Sequence, residues 1–134
     1  MESRVPLTAE KHRAGCNCAQ AVLCTYADRI GVDEETAFRM GAGLGLGMGG
    51  MEGTCGALTA ACILVGAACT ASAENPSGKA ASHRTTRNLV ADFAERAGAT
   101  QCRQLKGRDT GVALCSCPDC IRIAAELVEQ HVFS

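Results

Sequence analysis

The sequence predicts a single all-α domain over residues 1–134, a compact helical bundle with a Gly-rich loop beside a cluster of cysteines. Three observations carry that expectation. Apolar residues recur at helical spacing, with no convincing strand pattern. Cap and stop residues bracket those stretches. The 134 residues, 47% of them hydrophobic, contain no repeat, low-complexity tail or linker long enough to separate two units. Ala, Gly and Cys supply much of the apolar share. Such small side chains favour close backbone contact between helices over a bulky aromatic core.

Asn17, with Gln20 three positions later, forms a capping box for a helix reaching about Ile30. Ala19, Val22, Leu23, Tyr26, Ala27 and Ile30 make its apolar stripe, and Gly31 stops it. Asp33 caps a short helix that starts with Glu34 and Glu35, acids suited to the positive end of the helix dipole. That helix dissolves into "GAGLGLGMGGMEG", where repeated glycine opposes regular helix. Thr54 caps a central helix that ends near "ENPSG", a turn marked by Asn75, Pro76 and Gly78. A helix from about Ala80 to Ala97 buries Leu89, Val90, Phe93 and Ala97 and stops at Gly98. Thr100 caps a short turn from Cys102 to Leu105. After the loop "KGRDTGVALCS", Cys117 serves as N-cap of the last helix, with Pro118 in the first helical position it favours.

Bulk composition excludes several functions. A net charge of −1, 3% aromatic residues and no Trp give neither the basic face nor the stacking platforms of a nucleic-acid binder. From Gly53 to Ala73 no residue is charged, nearly a spanning length, but only Leu58, Ile63, Leu64 and Val65 are large and apolar. A buried core helix is the better reading, so the chain is expected not to be membrane-embedded. Gly45, Gly47 and Gly50 match G-x-G-x-x-G without the preceding strand a dinucleotide site needs, and no Lys follows the run as a P-loop requires. The N-terminal "MESRVPLTAEKHRAG" has no apolar h-region or small-residue cleavage site, so a cytoplasmic location is expected. In that reducing compartment ten cysteines point to metal or redox chemistry rather than to a disulfide framework.

Four of the ten fall in the first turns of four different predicted helices. Cys18 follows the cap Asn17, Cys55 follows Thr54, Cys102 lies two past Thr100, and Cys120 lies three past Cys117. A helix N-terminus carries about half a positive charge and unpaired N–H groups, which favour thiolate over thiol. Cys18, Cys55, Cys102 and Cys120 are therefore the candidate catalytic residues and the candidate metal ligands. As ligands they suit an iron–sulfur cluster or tetrahedral zinc; as dithiols they cycle with a disulfide. The glycine run fits both, because backbone without Cβ approaches a sulfur closely and donates N–H groups to its charge. The leading expectation is a redox protein, as metal or iron–sulfur electron carrier or as thiol–disulfide protein, with an oxidoreductase among the forms it could take. The alternative is a non-catalytic metal-binding or interaction module with a structural site of four cysteines. The expected partner is a redox protein or a small thiol or disulfide.

Cys24, Cys62 and Cys69 read as small core residues. Cys16 and Cys115 have no assigned role, and Cys117-Pro-Asp-Cys120 is a C-x-x-C at a helix start, open to a redox switch or an extra ligand. Glu52 reads as a solvated loop residue. Arg103, beside Cys102, either favours that thiolate or is a plain exposed residue, and His12, His83 and His131 look like surface histidines.

"GCNCAQAVL", the Gly-rich run into "GTCGALTA", "FAERAGATQCRQL" and "CIRIAAELV" resemble, in order, the C-GCAxxG-C-C family of putative redox-active proteins. By position the four family cysteines fall on Cys18, Cys55, Cys102 and Cys120. The motif here reads "CGALTA", so Ala60 stands where the family pattern has Gly. The resemblance implies a redox role and an association with a transporter system.

Overall fold

The capping box at Asn17 forms as its sequence requires. Gln20 N–H donates to Asn17 Oδ1 at 2.8 Å, and Asn17 N–H donates to Gln20 Oε1 at 3.0 Å. From this start the chain builds a layered helical bundle, seen in a computed structural model that describes residues 1–70, 72–74 and 76–134, Pro76 by its backbone alone. Among the described residues there are seven α-helices and no strand: α1 (Val5–Arg13), α2 (Cys18–Thr25), α3 (Glu34–Gly41), α4 (Gly56–Cys69), α5 (Lys79–Ala97), α6 (Cys102–Lys106) and α7 (Cys117–His131). Asn75, assigned from sequence to a turn, lies outside the described residues.

Helix α4 is the centre, packed on α2, α5 and α7, while α1 covers α2 and α7 and α3 lies on α2. Its small residues allow this. Gly56, Ala57, Ala60 and Ala61 are buried beside Leu58, Leu64 and Val65, so neighbouring helices approach from several sides. Leu23 of α2, Leu89 and Phe93 of α5, and Ile121, Leu127 and Val128 of α7 close the core. Each such side chain contributes about 1.5–3 kcal/mol relative to staying exposed. Among the described residues no helix is long and apolar enough to cross a membrane.

Several boundaries differ from expectation. Helix α2 stops at Thr25 rather than running to Ile30. The Thr25 hydroxyl donates back to the Ala21 carbonyl at 2.8 Å, and Arg4 Nη1 takes the Thr25 carbonyl at 3.0 Å. A 3₁₀ turn, Ala27–Ile30, follows and ends at Gly31 in the left-handed region. Helix α4 stops at Cys69, short of the expected turn, because the chain folds back so tightly that a Cβ on Gly78 would lie 1.9 Å from the Cys69 carbonyl oxygen. Helix α1 carries no apolar stripe to announce it; Thr8 is its one buried residue and a proline sits in its first turn. Ser116, not Cys117, caps α7, its hydroxyl accepting from Asp119 N–H at 3.2 Å. The caps of α4 and α6 are Cys55 and Gln101 rather than Thr54 and Thr100.

Glu129, Asp28 and Glu34 tie the N-terminal segment to the bundle, Asp28 through the Arg4 guanidinium and Glu34 through Lys11. Glu129 of α7 accepts from the hydroxyl of fully buried Tyr26 and from Arg4 N–H, the latter at 2.8 Å. Removing the hydroxyl in Tyr26→Phe should lower unfolding free energy by about 1–3 kcal/mol, the value of a hydrogen bond to a charged group. Urea denaturation reads this directly; an unchanged midpoint would show that Arg4 alone satisfies Glu129.

Candidate functional site

Two short segments set the site's frame. Residues 53–55 and 100–102 run antiparallel, bridged at Thr54 and Gln101, with Cys55 N–H donating to the Thr100 carbonyl at 2.8 Å and Cys102 N–H to the Gly53 carbonyl at 3.0 Å. This pairing places the N-termini of α4 and α6 side by side. The glycine run Gly47–Met51 then crosses over them as an irregular, kinked turn with non-helical backbone at Met48, Gly49 and Gly50, closed by Gly53 N–H donating to the Gly47 carbonyl at 3.0 Å. Gly47 has a positive φ, and a Cβ there would lie 2.4 Å from the Cys102 Cβ. Leu46, Met48 and Met51 are also held at positive φ, a strained conformation costing on the order of 1–3 kcal/mol each.

Beneath this turn lies a cavity of about 200 Å³. Cys18, Cys55, Cys102 and Cys120, selected from sequence as site residues, all line it, and so do Cys115 and Cys117. Lys106 and His12 are its basic groups. All ten cysteines of the chain are free thiols. Cys24 is buried; Cys16, Cys62 and Cys69 are half-buried against the core, and none of the four lines the cavity. Among the described residues, no group of three or more His, Cys, Asp or Glu side chains is arranged to hold a metal ion.

The cap positions do not favour thiolate equally. The Cys55 thiol is brought down to about 7, first by a hydrogen bond from Cys120, then by the N–H groups of Leu58 and Ala57 and the nearby Lys106 charge, against the opposing effect of burial. Cys120 is driven strongly the other way, since its proton serves the Cys55 sulfur and its site is buried. The Cys120 thiol donates to the Cys115 carbonyl at 3.9 Å. Burial pushes Cys18 up, and the Cys55 charge adds to the effect, although Leu46 and Ala19 N–H groups act against it. Burial likewise raises Cys102, with Lys106 opposing. Of these four thiols, Cys55 is the one drawn toward thiolate, while Cys18, Cys102 and Cys120 are pushed the other way.

Gly56, directly after Cys55, is as constrained as Gly47. A Cβ there would lie 2.6 Å from the Leu44 carbonyl oxygen and 2.7 Å from the Cys18 sulfur. Ala60, which stands where the family pattern has Gly, is fully buried in α4.

Lys106 was invisible to the sequence reading, although its position four residues after Cys102 puts both on one helical face. Its ammonium donates to Cys117 Sγ at 2.9 Å. Arg103 does not act on the site. Its guanidinium faces Glu52 and Asp109 at 3.7 and 3.9 Å, and exposed Glu52 also binds Arg108 at 2.9 Å. His12 and His131 are not plain surface residues: the first lines the cavity and the second contacts Asp92 at 2.8 Å, while His83 is exposed.

Two outcomes follow from this geometry. Cys55 alkylation by iodoacetamide should rise with pH through a midpoint near 7, since the thiolate is the nucleophile and is lost as pH falls; a midpoint in the ordinary thiol range would contradict the hydrogen-bond assignment. Gly56→Ala should lower stability by about 1–3 kcal/mol, as backbone at Leu44 must shift, and thermal unfolding measures it.

A family model described as putative redox-active protein (C_GCAxxG_C_C) matches residues 16–131. No curated protein matches the chain. No solved structure matches it either. The match runs from before Cys18 to the end of α7 and so takes in every cysteine of the cavity: the chain belongs to the C_GCAxxG_C_C family.

Proposed function

We propose that this protein is a thiol–disulfide redox protein whose working pair is Cys55 and Cys120. The observation that carries this reading is the shared cavity, which both thiols line, with Cys55 drawn toward thiolate and Cys120 held as thiol. A nucleophile and a second thiol facing one cavity are the minimum for two-electron exchange. The Cys55 thiolate attacks a disulfide and is left in a mixed disulfide, releasing one thiolate; Cys120 gives its proton to that thiolate and attacks Cys55 Sγ, releasing the second. The external disulfide gains two electrons and the pair becomes an intramolecular disulfide. In reverse, the oxidised pair accepts electrons from a dithiol.

The chemistry of the lining also supports a second reading. Six soft sulfur donors in one cavity suit copper(I), zinc or an iron–sulfur cluster, which Cys18, Cys55, Cys102 and Cys120 would hold. A bound cluster would supply one-electron transfer. The dithiol reading is preferred because two thiols of opposite proton preference, Cys55 and Cys120, line one cavity, whereas no triad is set for an ion among the described residues. For either reading the partner is a redox protein or a small thiol or disulfide, in keeping with the apolar mouth formed by Leu46 and the single exposed ammonium of Lys106.

Oxygen-free protein, equilibrated in redox buffers and mapped by mass spectrometry, should show a reversible Cys55–Cys120 disulfide that Cys55→Ser and Cys120→Ser each abolish. Stoichiometric metal that shields the cysteines from alkylation in the purified protein would favour the metal reading instead.

A further inference from the structure

Cys55 and Cys120 are 6% and 3% exposed, so a bulky disulfide cannot reach either sulfur without rearrangement. Cys117 is different. It is half-exposed, lines the same cavity, and sits one helical turn before Cys120 on α7. Among the described residues it is the one thiol whose sulfur accepts from an ammonium, Lys106 Nζ at 2.9 Å, and that lysine is exposed. Such a bond strengthens when the sulfur carries negative charge. Of the other half-exposed cavity thiols, Cys18 Sγ is packed against the Leu44–Gly56 crossing. Lys106 in turn is held more firmly protonated, chiefly by its hydrogen bond to Cys117.

We infer that Cys117 is the outer nucleophile of a three-sulfur relay, the residue that meets an external disulfide and passes its oxidation inward to Cys55 and Cys120. The inference rests on the dithiol reading above. In the first step the Cys117 thiolate attacks R–S–S–R, forming Cys117–S–S–R and releasing RS⁻. In the second, Cys120 passes its proton to the Cys55 thiolate across the cavity and attacks Cys117 Sγ, which makes a Cys117–Cys120 disulfide and releases the second RS⁻. In the third, the proton on Cys55 passes to that RS⁻, and the Cys55 thiolate attacks Cys120 Sγ. The Cys55–Cys120 disulfide forms and the Cys117 thiolate leaves, received by the Lys106 ammonium. Overall the external disulfide takes two electrons and one proton from the inner pair, leaving as RS⁻ and RSH, and Cys117 is restored. The C-P-D-C spacing is what makes the second step local, since both sulfurs share one face of the first turns of α7.

The test mixes the reduced full-length chain with hydroxyethyl disulfide without oxygen, quenches with acid at intervals, and locates adducts by peptide mass spectrometry. The expected sequence is an adduct on Cys117 first, then the Cys55–Cys120 disulfide. Cys117→Ser should slow appearance of that disulfide about tenfold or more, while its equilibrium midpoint in glutathione buffers stays where it is in the wild type. Lys106→Met should slow the Cys117 adduct and remove its dependence on ionic strength. A first adduct on Cys55, or wild-type kinetics in Cys117→Ser, would overturn the relay and leave the inner pair standing. If the wild type forms no Cys55–Cys120 disulfide at all, the dithiol reading fails and the relay fails with it.

Discussion

Two backbone hydrogen bonds hold the architecture of the site together: Cys55 N–H to the Thr100 carbonyl and Cys102 N–H to the Gly53 carbonyl. Helices α4 and α6 are separated in sequence by the whole of α5, and nothing in their own amphipathicity requires their N-termini to meet. The paired segments 53–55 and 100–102 fix that meeting. Once it is fixed, the glycine run has to pass over the junction, and the Gly47 and Gly56 positions leave no space for a side chain. The strain at Leu46, Met48 and Met51 belongs to the same crossing. The turn is held in a costly shape where it covers sulfur.

Crowding thiols into one apolar cavity limits how many can ionise. Each N-terminus offers N–H groups and a partial positive charge, but one negative sulfur raises the cost of the next in a site of low dielectric. The result is asymmetry. Cys55, with two backbone donors and a nearby lysine, is drawn toward thiolate, while burial and the Cys55 charge push Cys120 strongly toward thiol. On the proposed dithiol reading, a pair divided in this way would have its nucleophile and its proton donor facing one cavity before any substrate arrives.

Much of this was legible in the sequence, for reasons that can be named. Capping patterns placed Cys18, Cys55, Cys102 and Cys120 near helix starts, and cap positions tolerate errors of one residue without moving a side chain far. That is why the wrong caps at Thr54, Thr100 and Cys117 still led to the right neighbourhood. Other features depend on contacts distant in the chain. No local pattern shows that Arg103 turns to Glu52 and Asp109 while Lys106 turns to Cys117, or that Thr25 gives its carbonyl to Arg4 and ends α2 early. The helix ends that favour thiolate were legible, but the burial and mutual repulsion that set Cys55 apart from Cys18, Cys102 and Cys120 depend on contacts distant in the chain.

The most direct measurement of the central claim is the ¹³Cβ chemical shift of selectively labelled cysteines, followed as the protein passes from reduced to oxidised in graded redox buffers. Disulfide formation moves the Cβ resonances of both partners, so the two that move together identify the pair. Coincident movement of Cys55 and Cys120, with one shared midpoint and the remaining cysteines unchanged at equilibrium, is the predicted result. Movement of a different pair, such as Cys18 with Cys102, or no paired movement at any potential, would contradict it.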